Sequence, residues 1–99
     1  MRVVLATIAV ATLAACGPVQ TTSTLIDADV EIQAARTAGA ARLSPYEYAG
    51  ARAYYEKARE LEGRARYEEA GKLAAKSVAL AKSARNNAIA AGAKPQETP

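Results

Sequence analysis

The sequence predicts an all-α domain of three antiparallel helices, a helical hairpin with one helix before it, and three observations carry that expectation. Apolar and small residues recur at three- and four-residue spacing over three stretches, the period of an amphipathic helix. Ser44-Pro45-Tyr46-Glu47 has the layout of a helix start. Gly63 interrupts the pattern between the second stretch and the third. The expected helices run over 24–42, 45–62 and 66–91 in a domain spanning 24–92, with a disordered tail over 93–99.

The first helix is expected to begin at Thr24, with Asp27, Asp29 and Glu31 near its start, where the helix dipole favours negative charge. Leu25, Ala28, Ile32, Ala35 and Gly39 form one stripe, and Ile26, Val30, Ala34 and Ala38 a second. Ser44 then suits an N-cap, Pro45 a first turn that needs no donor, and Glu47 the return arm of a capping box. Proline also keeps the residue before it out of the helical region, so Ser44 marks a break, with Gly39 as an alternative end of the first helix a few residues earlier. In the second helix Glu47, Ala51, Tyr54, Ala58, Leu61 and Ala65 fall on one line, with Tyr48 and Tyr55 beside it. Arg52–Glu56 and Glu60–Arg64 are one-turn ion pairs of a solvated face. Gly63 is the expected stop, the alternative being one long helix weakened at that point. The third helix places Tyr67, Ala70, Leu73, Ala74, Ser77, Val78, Leu80, Ala81, Ala84, Ala88 and Ala91 on one face, with Glu68, Lys72, Lys76 and Lys82 opposite. Such a seam of small residues lets helices approach closely.

The amino terminus has a different character. Arg2 precedes an apolar run from Val3 to Leu13 that ends at Gly17-Pro18, short of the roughly 20 apolar residues of a membrane span. That is the layout of a secretory signal. Leu13-Ala14-Ala15-Cys16 resembles a bacterial lipobox, which implies cleavage between Ala15 and Cys16 and acylation of the Cys16 thiol. The resemblance makes 1–15 a lipoprotein signal peptide, 16–23 a lipidated tether, and membrane lipid the partner held through Cys16. Gly17, where inner-membrane retention would call for Asp, favours the outer membrane, facing the periplasm.

Composition excludes several classes of function. There is no histidine and one cysteine, so neither a disulfide within the chain nor the usual His and Cys ligand sets are available. The net charge of +3 is small and interspersed, which argues against nucleic acid. Asp27 and Glu31, one turn apart, read as dipole compensation because no third ligand or partner base accompanies them. No catalytic residue, metal or cofactor is expected, and the chain reads as a non-enzyme. Large aliphatics are few and Phe and Trp absent. Burying one aliphatic contributes about 1.5–3 kcal/mol, while ordering each residue costs about 1.5 kcal/mol. The monomer is therefore expected to be marginal and helped by self-association or a partner. Tyr48 and Tyr55, seven residues apart at the margin of the second helix's stripe, are candidate interaction residues, with core filling as the alternative.

Ala38-Gly39-Ala40, Leu43-Ser44-Pro45-Tyr46-Glu47, the run from Ala53 to Glu60, and Tyr67-Glu68-Glu69-Ala70 with Leu73-Ala74 together resemble the domain of unknown function 4398, a family of small envelope lipoproteins. The resemblance implies an all-helical domain, sometimes found with an OmpA-like module, and brings no catalytic residue. Tyr67-Glu68-Glu69-Ala70 with Ala74 is also similar to the second helix of a tetratricopeptide unit, which implies packing through small residues; three such units are normally needed for a binding groove. The function these readings predict is a lipid-anchored, non-catalytic interaction or structural module whose partner is an envelope protein (OmpA-like) or a second copy. A coiled-coil-like tether of the envelope is the alternative, and an enzyme a distant third.

Overall fold

The computed structural model describes the backbone of residues 2–93 and the side chains of residues 18–92. The fold is all-α: α1 (Arg2–Thr37), the single turn α2 (Ala40–Leu43), α3 (Pro45–Gly63) and α4 (Tyr67–Ala93). Side-chain rungs fix their directions. Thr22 Oγ1 donates to Glu62 Oε2 and Arg36 Nε donates to Tyr48 Oη at 3.0 Å, so α1 and α3 run antiparallel. Thr21 lies against the start of α4 and Glu31 against Arg85, so α1 and α4 run parallel. The result is an up-down-up arrangement in which α1 lies across one face of the α3–α4 hairpin.

The core is made of small residues. Ala51, Ala58, Ala70, Ala74, Ala81 and Ala84 are fully buried, and Ser77 is the largest side chain to be so. Where Ala51 and Ser77 face each other, the α3 and α4 backbones approach closely enough for Ser77 Oγ to donate to Ala51 O at 2.7 Å. Larger side chains flank this seam instead: Ile32 and Tyr48 on the side of α1, and half-buried Leu73 and Leu80 on the other. Arg85 and Glu31 form an ion pair at 2.9 Å across the α1–α4 contact, with 34 % and 18 % of their side chains exposed. The pair is electrostatic rather than an aligned hydrogen bond, since no N–H points along the line to the buried Glu31 Oε2.

Several boundaries differ from the sequence expectation. Within the stretch expected as a tether, residues 18–23 are helical, and Thr21 is buried with its hydroxyl donating to Tyr67 O at 2.9 Å. Thr21 thus heads the stripe that continues through Leu25, Ala28, Ile32 and Ala35; a threonine joins an apolar face once its hydroxyl has a partner. Thr24 is no cap, and its hydroxyl donates back to Gln20 O inside the helix. The first helix stops at Thr37 rather than residue 42, because Gly39 adopts a left-handed conformation (φ 84°) and the chain restarts as α2. Residues 94–99 of the expected tail lie outside the described residues.

Both turns flanking α3 use altered chemistry. At its start Ser44 Oγ donates to Glu47 Oε2 at 2.7 Å instead of accepting from a backbone N–H, and it accepts from Asn87 Nδ2 of α4 at 3.2 Å. The Ser44 N–H donates to Ala40 O at 2.8 Å, so the α2–α3 junction is satisfied without a capping box. At the other end Gly63 is helical and Ala65 takes the left-handed position (φ 61°). The Arg66 N–H donates to Leu61 O and the Ala65 N–H to Glu62 O, both at 2.9 Å, which is a Schellman ending with alanine where glycine is usual.

Two outcomes follow. Because a non-glycine residue in the left-handed region costs roughly 1–2 kcal/mol, Ala65→Gly should raise the unfolding free energy by about 1 kcal/mol in denaturant titration. Gly63→Ala, whose added Cβ meets nothing within 4 Å, should be neutral or stabilising; a loss of stability there would return the stop to Gly63. The hydroxyl of Ser44, and after it Glu47's own backbone N–H, hold the Glu47 carboxyl below its ordinary value. The folded state therefore favours the charged form, so the contribution is present above about pH 4.3 and is lost as pH falls below it. Glu47→Gln should destabilise the domain at neutral pH and shrink the acid limb of its stability profile.

Candidate functional site

The chemistry available to a site is narrow. Among the described residues no three His, Cys, Asp or Glu side chains converge to hold a metal ion. The charged residues of α3 mostly pair along their own helix in solvent, as in Arg52–Glu56 at 3.9 Å and Arg64–Glu60 at 3.1 Å. No helix among the described residues is long and apolar enough to cross a membrane. The expected lipidation site, Cys16, and its neighbour Ala15 fall in the part of α1 whose side chains lie outside the described set.

Tyr48 belongs to the core, and its reading as a recognition residue is corrected. It is 7 % exposed, packs with Ile32, Ala35 and Ala51, and accepts from Arg36 Nε. Seven-residue spacing along a helix keeps side chains on nearly one face, and Tyr48, Ala51, Tyr55 and Ala58 form the face that meets α1 and α4. Tyr55 is half-buried, packs against the Leu25, Ala58 and Ala74 cluster, and has the Arg59 guanidinium 5.9 Å from its ring centre.

Two other tyrosines of α3, exposed Tyr46 and half-buried Tyr54, were not singled out by the sequence reading as interaction residues. They stand over a groove of about 750 Å3 on the face of the hairpin opposite α1. Its floor is Ala49, Gly50 and Ala53 of α3, with Leu73 and Leu80 of α4 forming the facing wall. Gly50 matters here: a Cβ at that position would stand 3.0 Å from Leu80 Cδ1, so its absence lets the leucine lie against the α3 backbone. Tyr46 is 83 % exposed at one end, and Lys57 closes the other. Lys76 Nζ sits 5.6 Å from the Tyr54 ring centre, a cation–π contact that holds a second positive charge at the rim. A sequence signal for this groove existed in the second α3 stripe, Tyr46, Gly50, Ala53 and Lys57, again at helical spacing. It was masked because alanine and glycine suit a helix interior as readily as a binding floor.

An apolar floor, two aromatic rings and two ammonium groups can bury an aliphatic side chain and meet a carboxylate beside it. They offer no nucleophile and base pair. A second cleft, of about 480 Å3 between α1 and α4, is walled by Gln20, Thr24, Glu68 and Lys72 and is more polar. No family model, curated protein or solved structure matches this chain.

The two kinds of tyrosine separate in one experiment. Tyr48→Ala should cost about 3–5 kcal/mol of stability, as truncation of a buried aromatic does. Tyr46→Ala should change stability by less than about 0.5 kcal/mol. Urea titration of each variant reads the difference, and equal losses would move Tyr46 into the core.

Proposed function

We propose that the chain is a lipid-anchored, non-catalytic helical module of the bacterial envelope, held by acyl chains on Cys16 and acting through protein contacts made by its helical domain. The lipobox-like Leu13-Ala14-Ala15-Cys16 motivates the anchor. The observation that carries the interaction half is the groove between α3 and α4, an apolar and aromatic face on which no helix lies among the described residues. The resemblance to small envelope lipoproteins points the same way, as does the outer membrane for a mature chain beginning Cys16-Gly17.

Pro18 supports cleavage on independent physical grounds. Inside an uncut α1 it lacks a donor for the helix ladder, a position that costs about 3 kcal/mol. A cut before Cys16 moves Pro18 into the first turn, where the missing N–H has no rung to fill. Acyl chains contribute about 0.8 kcal/mol per buried methylene, and two or more hold stably, so the anchor needs no membrane-spanning helix.

Intact mass of the protein extracted from bacterial membranes should correspond to a chain starting at Cys16 with acyl groups attached. Cys16→Ser should abolish incorporation of radioactive fatty acid and leave the longer precursor. Undiminished labelling of that variant would remove the anchor from the proposal.

A further inference from the structure

The α3–α4 hairpin is a layer with two faces, and α1 covers one. On α4, Gly71 and Arg85 meet α1, whereas Leu73 and Leu80 open into the groove on the other side. The chain also carries a bare apolar ridge. Val19, Ile26 and Val30 of α1 are 70 %, 59 % and 58 % exposed, on the side of that helix opposite buried Leu25, Ala28 and Ile32. Ridge and groove therefore face in opposite directions, and neither can cover the other within one chain.

We infer that the ridge of one copy seats in the groove of the next, so that the protein forms rows of parallel copies. Shape favours a second copy: Ala53, on the groove floor beside Tyr54, leaves room for a β-branched side chain such as Val30. Height favours it as well. The Thr22–Glu62 and Arg36–Tyr48 rungs set Ile26 level with Ala58 and Val30 level with Tyr54, so a copy displaced sideways without sliding brings both side chains to the Lys57 and Tyr54 end of the groove. Charge is complementary in that same register, since exposed Asp27, next to the ridge, comes level with Lys57 on the groove's rim. Polarity selects this contact over a two-fold dimer, an argument that rests on the lipid-anchor reading. Sideways displacement points every Cys16 toward one membrane. A groove-to-groove dimer about an axis across the helices would point the two anchors apart, and one about an axis along them would set Lys57 against its own copy. A ridge-in-groove contact is heterologous and leaves both ends open, so the row has no fixed length.

The test uses the full-length chain carrying Val30→Cys and Ala53→Cys, two positions on opposite faces of one molecule, oxidised in isolated bacterial membranes. The expected result is a ladder of disulfide-linked dimer, trimer and larger species. Asp27→Lys in that background should shorten the ladder, and adding Lys57→Asp should restore it. A single dimer band formed by Ala53→Cys alone would overturn the inference in favour of a groove-to-groove pair, and helical protein giving no cross-link would overturn it outright. Fatty-acid labelling of the same samples keeps the two readings apart: labelled protein without a ladder removes the stacking and leaves the anchor. Absence of label on protein with Cys16 intact removes the anchor, and a ladder that persists when Cys16→Ser is added, which excludes cross-links through that thiol, leaves the stacking.

Discussion

The close approach of α3 and α4 is the constraint on which the rest of the structure depends. Ser77 Oγ reaches Ala51 O at 2.7 Å, and alanines fill the seam above and below it. Close packing of this kind leaves no room for a branched side chain, and inserting one into a filled core typically costs 1–3 kcal/mol. The hydroxyl of Ser77 adds a directional bond to a contact that is otherwise non-directional. That bond helps fix the register, since sliding either helix along the other would leave the hydroxyl buried without an acceptor.

That choice determines where the larger apolar side chains go. Excluded from the seam, Ile32 and Tyr48 gather on one face of the hairpin, where α1 covers them, and Leu73 and Leu80 on the other, where they wall the groove. An alanine core also buries little area per residue, and hydrophobic stabilisation scales with buried apolar area. The domain accordingly relies on specific polar ties between elements: Thr21 to Tyr67, Arg36 to Tyr48, Glu31 to Arg85, and Ser44 between Glu47 and Asn87. Each ties α1, or the α2–α3 junction, to the hairpin or within it. Exposed pairs within single helices, such as Lys72–Glu68 at 3.4 Å, contribute far less to the tertiary arrangement.

The local pattern determined the helices themselves. Three- and four-residue spacing identified the α4 seam from Ala70 to Ala88, although Ala91, expected to extend it, is exposed; Pro45 located the start of α3, and the Arg52–Glu56 and Glu60–Arg64 pairs follow from one-turn spacing alone. These are properties of neighbours in the chain, and backbone sterics act on them before any long-range contact forms. Other features depended on distant partners. Thr21 reads as a polar linker residue until the Tyr67 carbonyl accepts its hydroxyl, and Ser44 reads as a cap until Glu47 and Asn87 engage it together. Gly63 reads as a stop, yet the left-handed residue is Ala65, because the carbonyls of Leu61 and Glu62 take their Schellman donors from Arg66 and Ala65. The tyrosines divide in the same way. A helical stripe places Tyr48 and Tyr55 on one side of α3 and Tyr46 and Tyr54 on others, but which side is inside is set by where α1 and α4 lie. Helical period is encoded within a few residues of sequence; burial is a relation between helices, and only the assembled packing decides it.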